Sequence, residues 1–163
     1  MAEGGQRAAV RGSGIVQGMM PSALGAPYDR ALARLQEAGG DVQALPVEAQ
    51  TLLLVESAQG MIDNGGLEYF FEADFPHNPP YELFVAAYRR IGATAAADCL
   101  EAASLLFPFD EPHYFEPLRQ LWLEKFRSEP GHPFARLARE IGEDAQVWER
   151  LQAYVEWHGQ AFR

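Results

Sequence analysis

The sequence predicts an all-α fold, a single-domain bundle of about seven to eight helices with no significant β-sheet. Three observations favour this fold. Apolar residues recur at intervals of three and four along most of the chain, Gly and Pro interrupt these stretches, and no stretch shows the alternation typical of a half-buried strand. The length of 163 residues fits one domain.

The first part of the chain lacks any apolar periodicity. Residues 1–26 are rich in Gly, Ser, Ala and Gln, and this composition predicts a flexible N-terminal tail. Residues 27–163 are therefore expected to form the helical domain.

Each predicted helix lies between Gly or Pro residues that end regular structure. In order along the chain, the predicted helices cover residues 27–38, 46–63, 67–72, 81–91, 94–107, 114–126, 134–141 and 145–162. The sixth is expected to bury one apolar stripe, which consists of Phe115, Leu118, Leu121 and Trp122.

The corner at Asn64-Gly65-Gly66 separates the second and third predicted helices. Gly adopts the left-handed conformation without steric cost, and Asn tolerates it, so a sharp turn is expected here. After the turn, Leu67, Phe70 and Phe71 share one helix face by their spacing, which predicts a core contact. Glu68 and Glu72 fall on the opposite face, which predicts exposure.

Acidic residues concentrate in the middle of the chain, whose net charge is −10. Residues 35–118 hold fourteen acidic side chains and only Arg89 and Arg90 as basic ones, and residues 35–88 hold no Lys or Arg. Such a surface disfavours direct contact with nucleic acid or anionic lipid and favours a basic partner or a cation.

Cysteine usage and hydropathy indicate the cellular location. Cys99 is the single cysteine, so no internal disulfide forms, and its place on an apolar helix stripe predicts a buried, inert thiol. No apolar run approaches the ~18 residues of a membrane span, and the first residues do not read as a signal peptide. A cytoplasmic location is therefore expected.

No motif predicts a cofactor, a metal site or a nucleophilic active site. The four histidines never pair at helical spacing, and Pro130 and Gly131 make the Glu129 to His132 segment a loop. A nucleophile elbow and a Gly-rich phosphate loop are both absent. The carboxylates fall mostly on outer helix faces, which makes paired acid–base catalysis a weaker hypothesis than binding.

The acidic side chains are instead predicted to form a partner-binding surface. Like charges four residues apart destabilise a helix slightly, and such local costs indicate function when they recur. Composition alone favours a merely solvated face over a binding surface. The candidate contact residues are Glu56, Asp63, Glu68, Glu72, Asp74, Asp98, Glu101, Asp110 and Glu111.

Residues 56–107 resemble a bacterial all-helical family, first catalogued as a domain of unknown function, that includes a DNA-mimic protein. The matching features are an Asn-Gly-Gly turn with an aromatic pair, an Ile-Gly-Ala helix break and a closing Phe. In this chain they are Asn64, Gly65, Gly66, Phe70 and Phe71, then residues 91–93, then Phe107. Leu67 departs from the usual Phe, and residues 72–74 depart from the usual Asn.

The resemblance implies a non-enzymatic protein whose carboxylates replace phosphates in the DNA-binding site of a basic protein, such as a transcription regulator. It implies a structural role for the signature residues, with mimicry in the acidic surface around them. Two alternatives stay open, an acidic immunity-type inhibitor of a basic toxin nuclease and a carboxylate-based enzyme or cation-binding protein. The sequence also leaves homodimer formation open.

Overall fold

Seven α-helices form the fold in the computed structural model, which describes residues 24–163. Short 3₁₀ turns lie between some of them, and no β-strand occurs in this part of the chain. The all-α prediction is therefore confirmed. The helices are α1 (Gly25–Glu37), α2 (Val47–Glu72), α3 (Tyr81–Arg90), α4 (Thr94–Ser104), α5 (Glu116–Ser128), α6 (Pro133–Gly142) and α7 (Val147–Trp157).

The predicted tail falls almost entirely outside the described residues. Only its last three residues are described, and there Leu24 is fully buried while α1 begins at Gly25. Helical structure therefore starts two residues before the predicted domain boundary. None of the seven helices combines the length and the hydropathy that crossing a membrane requires.

Helix α2 is the central element of the bundle. It packs against α1, α3, α5, α6 and α7, so almost all of its first part is buried on every side. Gln50, Thr51 and Gln59 are buried together with the apolar residues around them. A helix that is enclosed in this way has no solvent face, although the sequence predicts an apolar stripe on one side only.

The corner at residues 64–66 is a kink within α2 rather than a loop between two helices. Gly66 adopts φ 76° and ψ 178°, a combination that is available almost only to glycine. The Asn64 side chain donates a 2.7 Å hydrogen bond to the carbonyl of Gly60. A Cβ on Gly65 would lie 2.7 Å from Cβ of Tyr69, so this position also requires glycine.

Beyond the kink, Phe70 and Phe71 anchor the aromatic part of the core. Leu67, Phe70 and Phe71 are all fully buried, which confirms their predicted inward orientation. The Phe70 ring packs edge-on against Phe84 with centroids 5.1 Å apart, and the Phe71 ring packs edge-on against Tyr81 at 5.0 Å. The kink thus directs two rings into the space between α2 and α3.

The buried face of α5 differs from the predicted one. Phe115, Leu118 and Leu121 are 47%, 42% and 48% exposed, so the prediction that these three residues pack inward is wrong. Trp122, the fourth residue of the predicted stripe, is partly buried against the core. The buried residues are instead Arg119, Leu123 and Phe126. Arg119 can lie on the buried side of α5 because its guanidinium finds hydrogen-bond acceptors inside the fold.

Candidate protein-binding surface

The nine carboxylates predicted to form one acidic surface have three different environments in the fold. Glu56 is buried, six others have hydrogen-bonding or ionic partners on the protein, and two lie open to solvent. The open pair is Asp110 and Glu111, whose side chains make no hydrogen bond or ion pair within residues 24–163. The candidate surface is therefore smaller and less uniform than the sequence predicts.

Glu56 does not belong to the surface, so its prediction as a partner contact is wrong. Its side chain is 1% exposed because α2 is enclosed on all sides. It lies beside the buried Tyr28 of α1, yet neither Oε2 of Glu56 nor the Tyr28 hydroxyl forms a hydrogen bond of regular geometry. Burial raises the pKa of Glu56 to about 7, although the nearby Tyr28 hydroxyl partly counteracts this effect.

Asp63 lies in α2 just before the kink and connects this helix to α7. Its Oδ1 accepts a 2.8 Å hydrogen bond from Nε2 of Gln59, and its Oδ2 accepts a 2.7 Å bond from Nε1 of Trp148. Gln59 in turn accepts a 3.0 Å bond from the buried hydroxyl of Tyr88. Asp63 is exposed, but both of its carboxylate oxygens already accept hydrogen bonds from other side chains of the protein.

Glu68 and Glu72 share one arginine. Arg127 of α5 forms an ion pair with Glu68, and its Nη2 lies 3.9 Å from Oε1 of Glu72. The Arg127 side chain is 61% exposed, so these pairs stabilise the fold by at most about 1 kcal/mol. One cation beside two carboxylates leaves a net negative charge on this face.

Asp74 pairs with a guanidinium that is completely buried. Nε of Arg119 donates to the Phe71 carbonyl at 2.8 Å, and its Nη1 donates to the Pro112 carbonyl at 2.8 Å. Its Nη2 donates to the Ala73 carbonyl at 3.2 Å and lies 2.5 Å from Oδ1 of Asp74. Arg119 thus satisfies carbonyls at the end of α2, which no intrahelical donor can reach, and joins α2 to the segment before α5.

Asp98 and Glu101 also share one arginine. Nη1 of Arg89 lies 2.8 Å from Oδ1 of Asp98, and Nη2 lies 2.9 Å from Oε2 of Glu101. All three side chains are at least 40% exposed. The cluster lies on the surface between α3 and α4, and again two carboxylates surround a single cation.

Asp110 and Glu111 lie in the segment between α4 and α5, where Glu111 has a left-handed φ of 51°. Together with Glu82 of α3 they line a depression of about 630 Å³. Leu105 and Tyr114 form its apolar walls and are 76% and 53% exposed. We call the depression formed by Glu82, Leu105, Asp110, Glu111 and Tyr114 the acidic groove.

No cationic side chain lines the acidic groove. His113 also borders it, but burial lowers the pKa of this imidazole, with Glu82 and Glu111 opposing the shift. The imidazole is therefore mostly neutral at pH 7. The three carboxylates of the acidic groove remain uncompensated by any residue that lines it.

A second depression, of about 780 Å³, lies between α4 and α6 and contains Cys99 and Glu140. The Cys99 side chain is buried, as predicted, with Sγ 3.5 Å from Oε2 of Glu140. Burial, together with this carboxylate, raises the pKa of Cys99 to about 11. The thiol stays protonated near pH 7, so it cannot act as a nucleophile there.

The histidines have local structural contacts. Nδ1 of His132 accepts a 3.2 Å hydrogen bond from the backbone N–H of Phe134 at the start of α6, and its ring stacks on Phe126 at 4.4 Å. A ring nitrogen of His77 lies 2.9 Å from the carbonyl of Gly39. In the part of the chain that the structure describes, no three His, Cys, Asp or Glu side chains are grouped so that they could hold a metal ion.

Sequence reasoning missed the arginines that pair with the predicted acids. Arg119 and Asp74 are 45 residues apart along the chain, so local spacing cannot reveal their contact. One signal does point to burial of Arg119, since it lies four and seven residues before the buried Leu123 and Phe126, on the same helix face. Glu82 was also missed, because the elements on either side of it give no indication of the acidic groove.

Comparison with known protein families identifies a relationship for most of the chain. A family model described as DMP19-like protein matches residues 43–158. This range extends well beyond residues 56–107 on both sides and includes every carboxylate of the acidic groove. Neither a curated protein nor a solved structure matches the chain.

Proposed function

The chain belongs to the DMP19-like family, and from this premise we propose that it is a non-enzymatic DNA mimic. Its exposed carboxylates would occupy the DNA-binding site of a basic DNA-binding protein, such as a transcription regulator. Carboxylates can replace phosphates there because both are oxyanions that accept hydrogen bonds from Arg and Lys. The protein itself would bind neither DNA nor membranes.

The observation on which this proposal depends is a surplus of carboxylate over cation on the described surface. Arg89 and Arg127 each face two acidic side chains, so each cluster keeps a net negative charge. The Asp98 and Glu101 side chains are 62% and 53% exposed in spite of their pairing. A partner's basic groups can therefore reach them.

The acidic clusters lie on separate elements rather than in one cleft. Arg127 and its acids lie on α5 and the end of α2, and Arg89 and its acids lie on α3 and α4. The acidic groove lies between the start of α3 and the segment that connects α4 to α5. Charge spread over separate elements suits contact with an extended basic site more than acid–base catalysis, which needs carboxylates close together in a cleft.

The proposal is tested with the full chain immobilised and exposed to a lysate of the source cells. We expect a basic DNA-binding protein to be retained at about 0.05 M salt and released at about 0.5 M, because screening weakens exposed charge contacts. The recovered protein is then bound to its own DNA, and added full chain should release that DNA in a mobility-shift assay.

Two results would contradict the proposal. Recovery of no basic protein at low salt would remove the expected partner, and a recovered protein that keeps its DNA would exclude mimicry. Recovery of a basic nuclease whose activity the chain blocks would support the immunity-type inhibitor instead.

A further inference from the structure

We propose that the acidic groove is the docking site for a basic amphipathic helix of the partner protein. Leu105 and Tyr114 would contact the apolar stripe of that helix, while Glu82, Asp110 and Glu111 would pair with its Lys and Arg side chains. The identity of the partner as a DNA-binding protein rests on the proposed function, whereas the chemistry of the occupant follows from the groove itself.

The apolar walls of the groove point to a protein occupant. Single exposed apolar residues are common, but Leu105 and Tyr114 line the same depression, together with the half-buried Phe109. Phe115 and Leu118 follow Tyr114 in the chain and are also exposed, and the Phe115 ring lies 6.3 Å from that of Phe109. Exposed apolar side chains near the groove can accept several apolar residues of one helix face.

The charge of the groove selects a basic occupant. Glu82, Asp110 and Glu111 make no side-chain hydrogen bond or ion pair within residues 24–163, and no Lys or Arg lines the groove. Within the described residues, these three carboxylates are not grouped as the ligands of a metal ion would be. Separate anionic groups beside apolar walls are complementary to a helix that carries Lys and Arg next to an apolar stripe.

The size of the groove suits a helix rather than one side chain. Its volume of about 630 Å³ is continued by an adjoining depression of about 330 Å³, which shares Glu82, Ser104 and Leu105 with it. Arg89 lines this extension, but its charge is already paired with Asp98 and Glu101. The two depressions together follow the space between α3 and the end of α4. An elongated groove of this kind is typical of helix recognition.

The apolar walls also distinguish this surface from DNA. A phosphate backbone attracts any basic protein, but it presents no exposed Leu or Tyr. Contacts with Leu105 and Tyr114 would favour basic helices that carry a matching apolar stripe over those that do not. The groove would thus add selectivity among basic partners to the electrostatic attraction.

The test uses two labelled synthetic helices of about 16 residues, long enough to form helix on binding. One carries Lys and Arg on one face and Leu on the other, and the second has the same composition in scrambled order. Anisotropy at about 0.05 M salt is measured with the full chain and three variants. The first variant removes the groove's charges by Glu82→Gln, Asp110→Asn and Glu111→Gln. The second removes its apolar walls by Leu105→Ser and Tyr114→Ser. The third is a control that removes three charges elsewhere by Glu37→Gln, Glu129→Gln and Glu149→Gln.

We expect the amphipathic peptide to bind the full chain and both groove variants to weaken it by about tenfold or more, a loss typical of removing several interface contacts. The control removes the same charge from exposed positions elsewhere and should change binding less than about twofold. Equal binding by groove variants and control would overturn the proposal, as would equal binding of the scrambled peptide or no binding at all. Circular dichroism verifies that each variant keeps its helices.

The partner recovered from the lysate separates this inference from the proposed function. If the full chain releases DNA from that partner and the groove variants do so equally well, the groove proposal fails while DNA mimicry stands. If no basic protein is recovered but the amphipathic peptide binds in a groove-dependent manner, mimicry fails while the groove proposal stands.

Discussion

Replacing Glu56 with Gln should make the protein more stable at alkaline pH. The Glu56 carboxyl is 1% exposed and its Oε2 lacks a hydrogen-bond partner, so the charged form is poorly solvated. A Gln side chain has nearly the same shape and stays neutral at every pH. The substitution therefore removes the cost of the buried charge without leaving a cavity.

The magnitude follows from the proton-binding equilibrium of this side chain. The pKa of Glu56 is about 7 in the folded chain and 4.5 ordinarily. Each pKa unit is equivalent to about 1.4 kcal/mol, so the difference between these two pKa values changes the free energy of unfolding by about 3 kcal/mol. The folded chain keeps the proton between these two values and the unfolded chain does not. Proton binding by Glu56 therefore gives the folded wild-type chain its full stability below pH 4.5, and this contribution to the free energy of unfolding is lost as the pH rises to about 7.

The assay compares urea unfolding of the wild type and Glu56→Gln at several pH values between about 4 and 9, followed by circular dichroism. The variant's advantage in free energy of unfolding should grow by about 3 kcal/mol from the acidic to the alkaline end. Glu48→Gln, on the same helix but partly exposed, is the matched control and should show no such trend. A difference between wild type and Glu56→Gln that is constant with pH would refute the reasoning.

Three further predictions concern other parts of the fold. Arg119→Met should destabilise the chain by about 3–5 kcal/mol in urea unfolding, because it leaves Asp74 and buried carbonyls without a donor. Arg127→Met breaks only exposed ion pairs and should lower the free energy of unfolding by less than about 1 kcal/mol. If both substitutions lowered it equally, the burial of Arg119 would be unimportant. Gly66→Ala should cost about 1–3 kcal/mol or more because of its φ of 76°, whereas Gly142→Ala, with no nearby atom, should lower the melting temperature little if at all. Cys99 in the native chain should react with iodoacetamide at pH 7.5 far more slowly than in urea, since its pKa is about 11; equal rates would contradict the buried thiol.

The helical organisation could be predicted because it depends on local patterns. Apolar spacing and the positions of Gly and Pro gave six helices close to their actual positions, and Gly66 produces the expected corner. The backbone continues as helix up to Gly65, however, and the Asn64 side chain donates to the Gly60 carbonyl within that helix. A single glycine therefore suffices to change the direction of α2.

The orientation of α5 could not be predicted from hydrophobicity. Leucine and phenylalanine are expected inside and arginine outside, yet Leu118 and Leu121 are exposed while Arg119 is buried. Arg119 is stable there only because carbonyls at the end of α2 and Asp74 surround it. Those acceptors come from a distant part of the chain, so their positions depend on the tertiary fold.

The acidic surface was overestimated for the same reason. Residues 35–88 contain no Lys or Arg, but Arg119 and Arg127 of α5 pair with acids of that segment across the fold. Enclosure of α2 further removes Glu56 from the surface. The sequence indicates where the acids are, but only the packing of the helices decides which of them keep their charge exposed.

The central position of α2 has a consequence for how the molecule opens. Since α1, α3, α5, α6 and α7 all rest on it, its amides can reach water only when most of the bundle separates. Amide hydrogen exchange should therefore be slowest between Leu52 and Ile62 and should report the global free energy of unfolding there. The segment that includes Asp110 and Glu111 lies outside any helix, so it can exchange through local fluctuations. The bundle would thus stay rigid around its axis while the rim of the acidic groove adapts to what it binds.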